Sequence, residues 1–292
     1  MDISVVTPSY NMFGYLKRCC ASVADQQGLT FEHIVVDAES TDGTTQWLES
    51  QRGVVSLIGP DDGMYDAINK GLRLMKGEIV GHLNADEQYL PGTFKLVKSY
   101  FDRHPGVDIL FGSTLIVGPD GSLVNYQKIY PVSAPLVMSS HLYAFTSSMF
   151  FRRRLIDRGE YFDVRYRVVG DMEYILRLLR KGYKAASIPQ YLSAFTWTGS
   201  NLGLTAKHVT HEAQMLSALQ PWWVKHFLVP WQLARKGLKL LSGAYFQGGP
   251  IAYAIYDGAD AEARRQFCVD RATRAWPSAE GLWRGATDAQ RV

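Results

Sequence analysis

Short apolar runs alternate with helically spaced apolar positions along the first hundred residues, and each run stops at polar or acidic residues. Ile3 to Ser9 predicts a strand ending in Thr7-Pro8-Ser9-Tyr10-Asn11, followed by a helix with Leu16, Cys20 and Val23 on one side. Ile34-Val35-Val36 stops at Asp37, before the polar turn Glu39-Ser40-Thr41-Asp42-Gly43-Thr44 and a helix carrying Trp47 and Leu48. Val54 to Ile58 stops before Asp61-Asp62, ahead of a helix with Ala67, Ile68, Gly71, Leu72 and Met75. Glu78 to Leu83 reads as a buried strand closing on Asn84-Ala85-Asp86-Glu87, before a helix from about Gly92 to Arg103. Strand and helix joined by short connections predict an α/β fold, a mostly parallel sheet with helices on both faces.

In such a sheet the C-terminal ends of neighbouring strands open onto one crevice, where ligands bind. Carboxylates arriving there are costly to leave unpaired and call for a cation or a polar ligand. The pattern therefore points to a metal-assisted nucleotide site.

After about residue 105 the rhythm changes. Val107 to Val117 and Ser122 to Tyr130 flank Gly118-Pro119-Asp120-Gly121, which predicts a hairpin. A strand is expected around Ser148 to Phe151, then a helix with Met172, Ile175, Leu176 and Leu179 on one face, stopping at Gly182. Tyr183 to Trp197 returns to a β pattern. From about Thr205 helical patterns mix aromatic and basic residues. Trp222, Trp223, Phe227 and Trp231, with Lys225, Arg235, Lys236 and Lys239, suit either a membrane interface or a helix packed on the core.

A formal net charge of +3 makes no case for nucleic acid, and Cys19, Cys20 and Cys268 suggest neither a disulfide framework nor a thiolate cluster. Met1 leads directly into a strand without a basic and apolar leader, and no apolar run reaches the ~20 residues of a membrane span. The expected location is the cytoplasm, with peripheral contact to the cytoplasmic membrane face.

The motifs carry a resemblance. Val6-Thr7-Pro8-Ser9-Tyr10-Asn11, Val35 to Thr44, Asp62-Gly63-Met64-Tyr65-Asp66-Ala67-Ile68-Asn69-Lys70-Gly71, Asn84-Ala85-Asp86-Glu87 and Gly170-Asp171-Met172-Glu173-Tyr174 follow one another in the order seen in family 2 glycosyltransferases, which the chain resembles over about residues 3 to 200. The resemblance implies a GT-A fold that binds a nucleotide sugar, a UDP-sugar first and a dTDP- or GDP-sugar as alternatives. It implies that Pro8 and Tyr10 border the base, with Tyr10 stacking on it, and that Asp37 and Asp62 hydrogen-bond base or ribose. Singly, either aspartate could be a turn or capping residue. Asp86 matches the second acid of the family's D-x-D motif, ligand of a divalent ion such as Mg²⁺ or Mn²⁺ on the donor diphosphate. Asn84 occupies the first acid's place, where it can contact ribose or a metal-bound water, or simply form the turn. Asp171 matches the base that deprotonates an acceptor hydroxyl for inverting attack, with Glu173 the alternative base and N-capping the alternative role for Asp171.

Weaker candidates are Arg152-Arg153-Arg154 for phosphate, His141 for metal or acceptor, and Trp197 to Asn201 as a loop over the donor, with Gly199 and Gly203 allowing movement. The expected organisation is a catalytic domain over 1–204 and a helical extension over 205–292. The expected activity is inverting sugar transfer to a saccharide or lipid-linked saccharide acceptor in bacterial surface polysaccharide or glycolipid assembly. Alternatives are a nucleotidyltransferase, whose Gly-rich phosphate loop Thr7 to Asn11 lacks, and a binding module without turnover.

Overall fold

A computed structural model describes residues 1–199, 201, 212, 215, 221–258 and 261–272. Its main sheet takes nine strands. β1 (Ile3–Ser9), β2 (Phe31–Asp37), β3 (Val55–Ile58) and β4 (Ile79–His82) run parallel in the order β3-β2-β1-β4. Beyond β4 lie β8 (Met149–Arg152), β6 (Ile109–Val117), β9 (Ala185–Thr196) and β5 (Glu87–Tyr89), and β7 (Leu123–Gln127) pairs with the second half of β6. β8 opposes both β4 and β6, while β6 and β9 are parallel. The first four strands thus end on one side, and β6 and β9 share their direction.

Helices α1 (Phe13–Ala24), α2 (Thr44–Ser50), α3 (Met64–Leu74) and α4 (Thr93–Arg103) connect the first strands as the apolar spacing predicts. β1 alternates between two cores: Ile3 and Val5 pack with Cys19, Val23 and Phe94, whereas Val6 packs with Ile68 and Leu72 of α3. Gly71 is required at that second contact, because a Cβ there would collide with Val6. β3 differs from a buried strand. It is the sheet's edge, and its Val55 and Leu57 are exposed.

Between β7 and β8 lies the short helix α5 (Ala134–Met138), and α6 (Arg154–Asp157) precedes α7 (Gly170–Arg180). Beyond residue 220 come α8 (Trp222–His226), α9 (Leu228–Leu241) and, in addition to the expected helical pattern, an antiparallel hairpin of β10 (Ile251–Ile255) and β11 (Arg265–Val269). The hairpin returns to the main sheet. Ile251, Tyr253 and Ile255 pack with Leu115, Val117 and Tyr126, while Arg264 pairs with Asp25 and Tyr256 exchanges two hydrogen bonds with Gln88.

The aromatic stretch divides in two. Trp223 and Trp231 take the core-packing alternative, against the main core around the fully buried Val224. Arg235 and Lys239 turn towards His141. Trp222, Phe227, Val229, Leu233 and Leu240 remain exposed, as do Lys225 and Lys236. No described helix is long and apolar enough to cross a membrane.

Candidate active site

The crevice begins where β1 outruns its neighbour. The last β1–β4 pair is Val6 with His82, so at Pro8 no β4 carbonyl asks for the N–H that proline lacks. Pro8 is buried beside Val36, and the chain then exposes the Tyr10 ring at the rim. Two loops are pinned together here. Asn11, in the left-handed region at φ 50°, donates its N–H to Ser40 Oγ (2.8 Å) and accepts the Thr41 N–H on its side-chain oxygen (2.9 Å). Asn tolerates that backbone better than most residues. Asp37 lies fully buried beneath these loops and accepts from the Ser40 N–H (2.9 Å), Ser40 hydroxyl (2.6 Å) and Thr45 hydroxyl (3.1 Å). It organises its own loop, and through Ser40, which accepts the Asn11 N–H, it supports the neighbouring one.

Asp62 stands exposed in the loop after β3, its N–H bound by Asp66 (3.1 Å). Neighbouring Asp61 accepts the Gly63 N–H (2.8 Å), shaping the turn into α3.

At the end of β4, buried His82 donates from Nε2 to Asn84 Oδ1 (3.2 Å). Burial drives the imidazole down to about 4, so it is neutral. The Asn84 N–H goes to Glu87 (2.7 Å), closing the turn that carries Asp86. Burial pushes the Asp86 carboxyl upwards, and one of its oxygens accepts from Asn201 Nδ2 (3.0 Å). Glu87 is more deeply buried; burial, then the charge of Asp86, raises it far above the ordinary carboxylate range, with Asp171 adding to the effect. Ser147 supports it, and behind Ser147 runs a buried hydroxyl chain through Ser193 (3.0 Å), Ser148 (2.7 Å) and Thr114 (2.8 Å).

Asp171 enters from α7. Burial raises its carboxyl to about 6, against the hydrogen bond from the Met172 N–H (2.7 Å), with a smaller upward push from Glu212. Glu173, the alternative base, is buried and committed to Arg177 (2.8 Å). That leaves Asp171 as the carboxylate of this helix that senses the crevice.

The weaker candidates separate. Arg152 pairs with Ile79 at the start of β4, the end of the sheet opposite Asp86, and the three arginines serve structure there. Arg152 donates to the Phe101 and Val107 carbonyls, Arg153 to Lys76 O, and Arg154 pairs with Asp108. His141 faces the cations Arg235 and Lys239, poor company for a metal ligand. The 197–201 segment does reach the crevice: Asn201 bonds Asp86, Thr196 O and the Thr198 N–H. Ser200 and Gly203 lie outside the described residues. Sequence reasoning passed over Glu87 as a buried acid, the Ser147 to Thr114 chain, Tyr65 and Glu212. Only Glu87 carried a signal, as a third acidic position in an otherwise apolar stretch.

The family model for glycosyl transferase family 2 matches residues 4–169. Among curated proteins, the PGL/p-HBAD biosynthesis glycosyltransferase of Mycobacterium tuberculosis is 25% identical over 187 residues, covering 60% of this chain and 68% of the relative. Among solved structures, Staphylococcus aureus TarS 1–349 in complex with UDP-GlcNAc superposes with a TM-score of 0.62 at 19% identity, over 85% of this chain and 76% of that one. The chain covers only 39% of the longer TarS chain. The mannosyltransferase PcManGT of Pyrobaculum calidifontis, in complex with GDP-Man and Mn²⁺, gives a TM-score of 0.54 at 20% identity over 84% of this chain and 76% of that one. The shared architecture is the GT-A fold.

The buried acid has a measurable consequence. The native state resists ionising Glu87, so ionisation costs stability above the ordinary glutamate range, and the cost grows as pH rises towards the raised folded value. Gln cannot ionise, yet it can still accept the Asn84 N–H. In urea titrations Glu87→Gln is expected to gain on wild type more at pH 8 than at pH 5. An equal difference at both pH values contradicts a buried, neutral Glu87.

Proposed function

The chain belongs to glycosyl transferase family 2, and from that premise we propose that it is an inverting glycosyltransferase that moves a sugar from a nucleotide diphosphate to an acceptor hydroxyl. Membership in this family sets the nucleotidyltransferase alternative aside. The observation that carries the reading is Asp171: a carboxylate raised to about 6 by burial, whose charge reaches Glu87 beside Asp86. A base with that value is ionised at neutral pH and more basic than an ordinary aspartate, which suits proton transfer from a hydroxyl. Asp171 takes the acceptor's proton as the oxygen bonds to the anomeric carbon. The anomeric carbon–phosphate oxygen bond breaks in the same displacement, and the nucleoside diphosphate leaves with the electron pair. Tyr10 supplies a face for the base, and Asp37 and Asp62 supply acceptors for base or ribose.

The residues fit a divalent ion, Mg²⁺ or Mn²⁺, which Asp86 would hold as the protein ligand beside the donor diphosphate. Burial disfavours a bare Asp86 charge, and an adjacent cation relieves that penalty. Such an ion supplies neutralisation of the leaving diphosphate. Asn84, held by His82, lines this position rather than adding charge. A UDP-sugar is the first choice of donor, with dTDP- and GDP-sugars as alternatives.

We infer that residues 1–204 form the catalytic unit and 205–292 an extension, a boundary outside the described residues. The exposed stripe of Val229, Leu233 and Leu240, with Lys236 among them and Trp222, Phe227 and Lys225 preceding it, fits an anionic membrane surface. The acceptor is then a lipid-linked saccharide, in surface polysaccharide or glycolipid assembly at the cytoplasmic face.

Two substitutions test the chemistry. Asp86→Ala should remove the Mn²⁺-dependent part of donor binding in calorimetry, whereas Asp171→Asn should bind donor normally and turn over ~10²–10⁴-fold more slowly. Unchanged metal dependence in the first, or a loss below about tenfold in the second, overturns the respective role. For the surface, the full chain should sediment with phosphatidylglycerol vesicles at low salt and release as salt rises, since each cation near the headgroups contributes ~1 kcal/mol and is screened over ~10 Å at 0.1 M. Leu233→Glu with Leu240→Glu should abolish binding. A protein that ignores the vesicles and dimerises through this face would reassign it to a second copy.

A further inference from the structure

Of the motif Asp62 to Gly71, the proposed chemistry uses only Asp62. The remainder of the motif lies in α3 and the turn before it, and its bonds run to the 162–171 segment. Gly63 (φ 104°) begins the series: a Cβ there would collide with the Arg167 guanidinium, so the donor-side loop and the 163–169 segment lie in contact. Just beyond it, the buried Tyr65 donates its hydroxyl to Val168 O (3.1 Å) and accepts the Asp171 N–H on the same oxygen (3.1 Å). One turn further on, Asn69 exchanges two bonds with the Phe162 backbone, Nδ2 to O (2.8 Å) and N–H to Oδ1 (2.9 Å), as a paired strand residue would. The Tyr65 ring stacks on Phe162 at 5.5 Å, and Phe162 stacks on Tyr174 of α7 at 4.1 Å. Gly170 completes the fit, since a Cβ there would stand 2.5 Å from the Tyr65 ring.

Glu212 grips the same turn from its other side. Its buried carboxylate accepts the N–H groups of Arg167 (2.7 Å), Val168 (2.9 Å) and Val169 (2.9 Å). The first turn of a helix carries amides with no internal partner. Here Glu212 takes those just before α7, and Tyr65 takes that of Asp171 itself. A phenol can donate and accept through one oxygen, which phenylalanine cannot.

We propose that Tyr65 is a positioning residue for the base: it fixes the peptide that carries Asp171 to α3, so that the helix starting at the donor loop also sets where the base stands. This rests on the reading of Asp171 as base. Displacing a catalytic group by ~1 Å can cost ~10²-fold in rate, so the hydroxyl's contribution should appear in turnover rather than in donor affinity.

The test uses the full chain, with water as acceptor and whichever of a panel of UDP-, GDP- and dTDP-sugars gives wild type the fastest nucleoside diphosphate release. Tyr65→Phe keeps the ring and both stacks and removes only the two hydroxyl bonds. Its kcat should fall ~10–100-fold with the donor KM within about twofold of wild type. In an Asp171→Asn background the same change should cost nothing further, because residues acting through one group are not additive. Amide exchange in peptides covering 163–171 should rise in Tyr65→Phe while β1 to β4 stay protected. Gly170→Ala, which pushes on the Tyr65 ring but leaves its hydroxyl, is a second variant with the same expected kcat-selective loss. A slow Asp171→Asn beside a wild-type Tyr65→Phe overturns the positioning role alone, as do losses that add in the double variant. An Asp171→Asn enzyme as fast as wild type overturns the base assignment instead.

Discussion

Buried carboxylates crowd one end of this sheet, and the crevice is organised around the cost of keeping them there. Asp37 is stabilised by three donors from its own loop, which makes it a fixed part of the floor. Asp86, Glu87 and Asp171 are different, because burial raises all three above their ordinary values, and the charges of Asp86 and Asp171 push Glu87 up further. Such sites hold strain that a cation or a proton relieves, and they are where perturbed acids and bases gather in enzymes. In the proposed reading one pattern serves three tasks: a neutral acid tied to a hydroxyl chain, an acid suited to a metal, and a base ready for a proton.

Much of this was legible in the residues. Strands covered on both faces give continuous apolar runs, so β1, β2 and β4 could be read directly, as could the acids closing β2 and β4 and the helices between. Other features depend on pairing. β5 is three residues long, two of them polar, and it reads as part of a turn until β9 pairs with it. β3 looks buried from composition, and only its edge position exposes it. The arginines at 152–154 offered a weak phosphate candidate, and register alone places them at the far end of the sheet. Tyr65 and Asp171 are 106 positions apart, so their bond has no local signature.

The extension shows the same division between pattern and placement. Its mixture of tryptophans and cations announced amphipathic helices, but not which side would be covered. Packing consumed Trp223 and Trp231 around Val224 and left Val229, Leu233 and Leu240 outside. The hairpin anchored through Arg264, Asp25, Tyr256 and Gln88 ties the end of the described chain to α1 and β5, close behind the turn that carries Asp86. Catalytic crevice and extension therefore share supporting elements, and the sheet serves as a common base for both.

The proposed single displacement assisted by Asp171 makes a stereochemical commitment that no alternative role for the crevice shares. The most direct measurement is the anomeric configuration of the first-formed product, read by proton NMR from the coupling of the anomeric proton before mutarotation. An α-linked nucleotide sugar should yield a β-configured product. Retention of the donor's configuration would contradict the account, because it requires a second displacement or a front-face attack that Asp171 as general base does not provide.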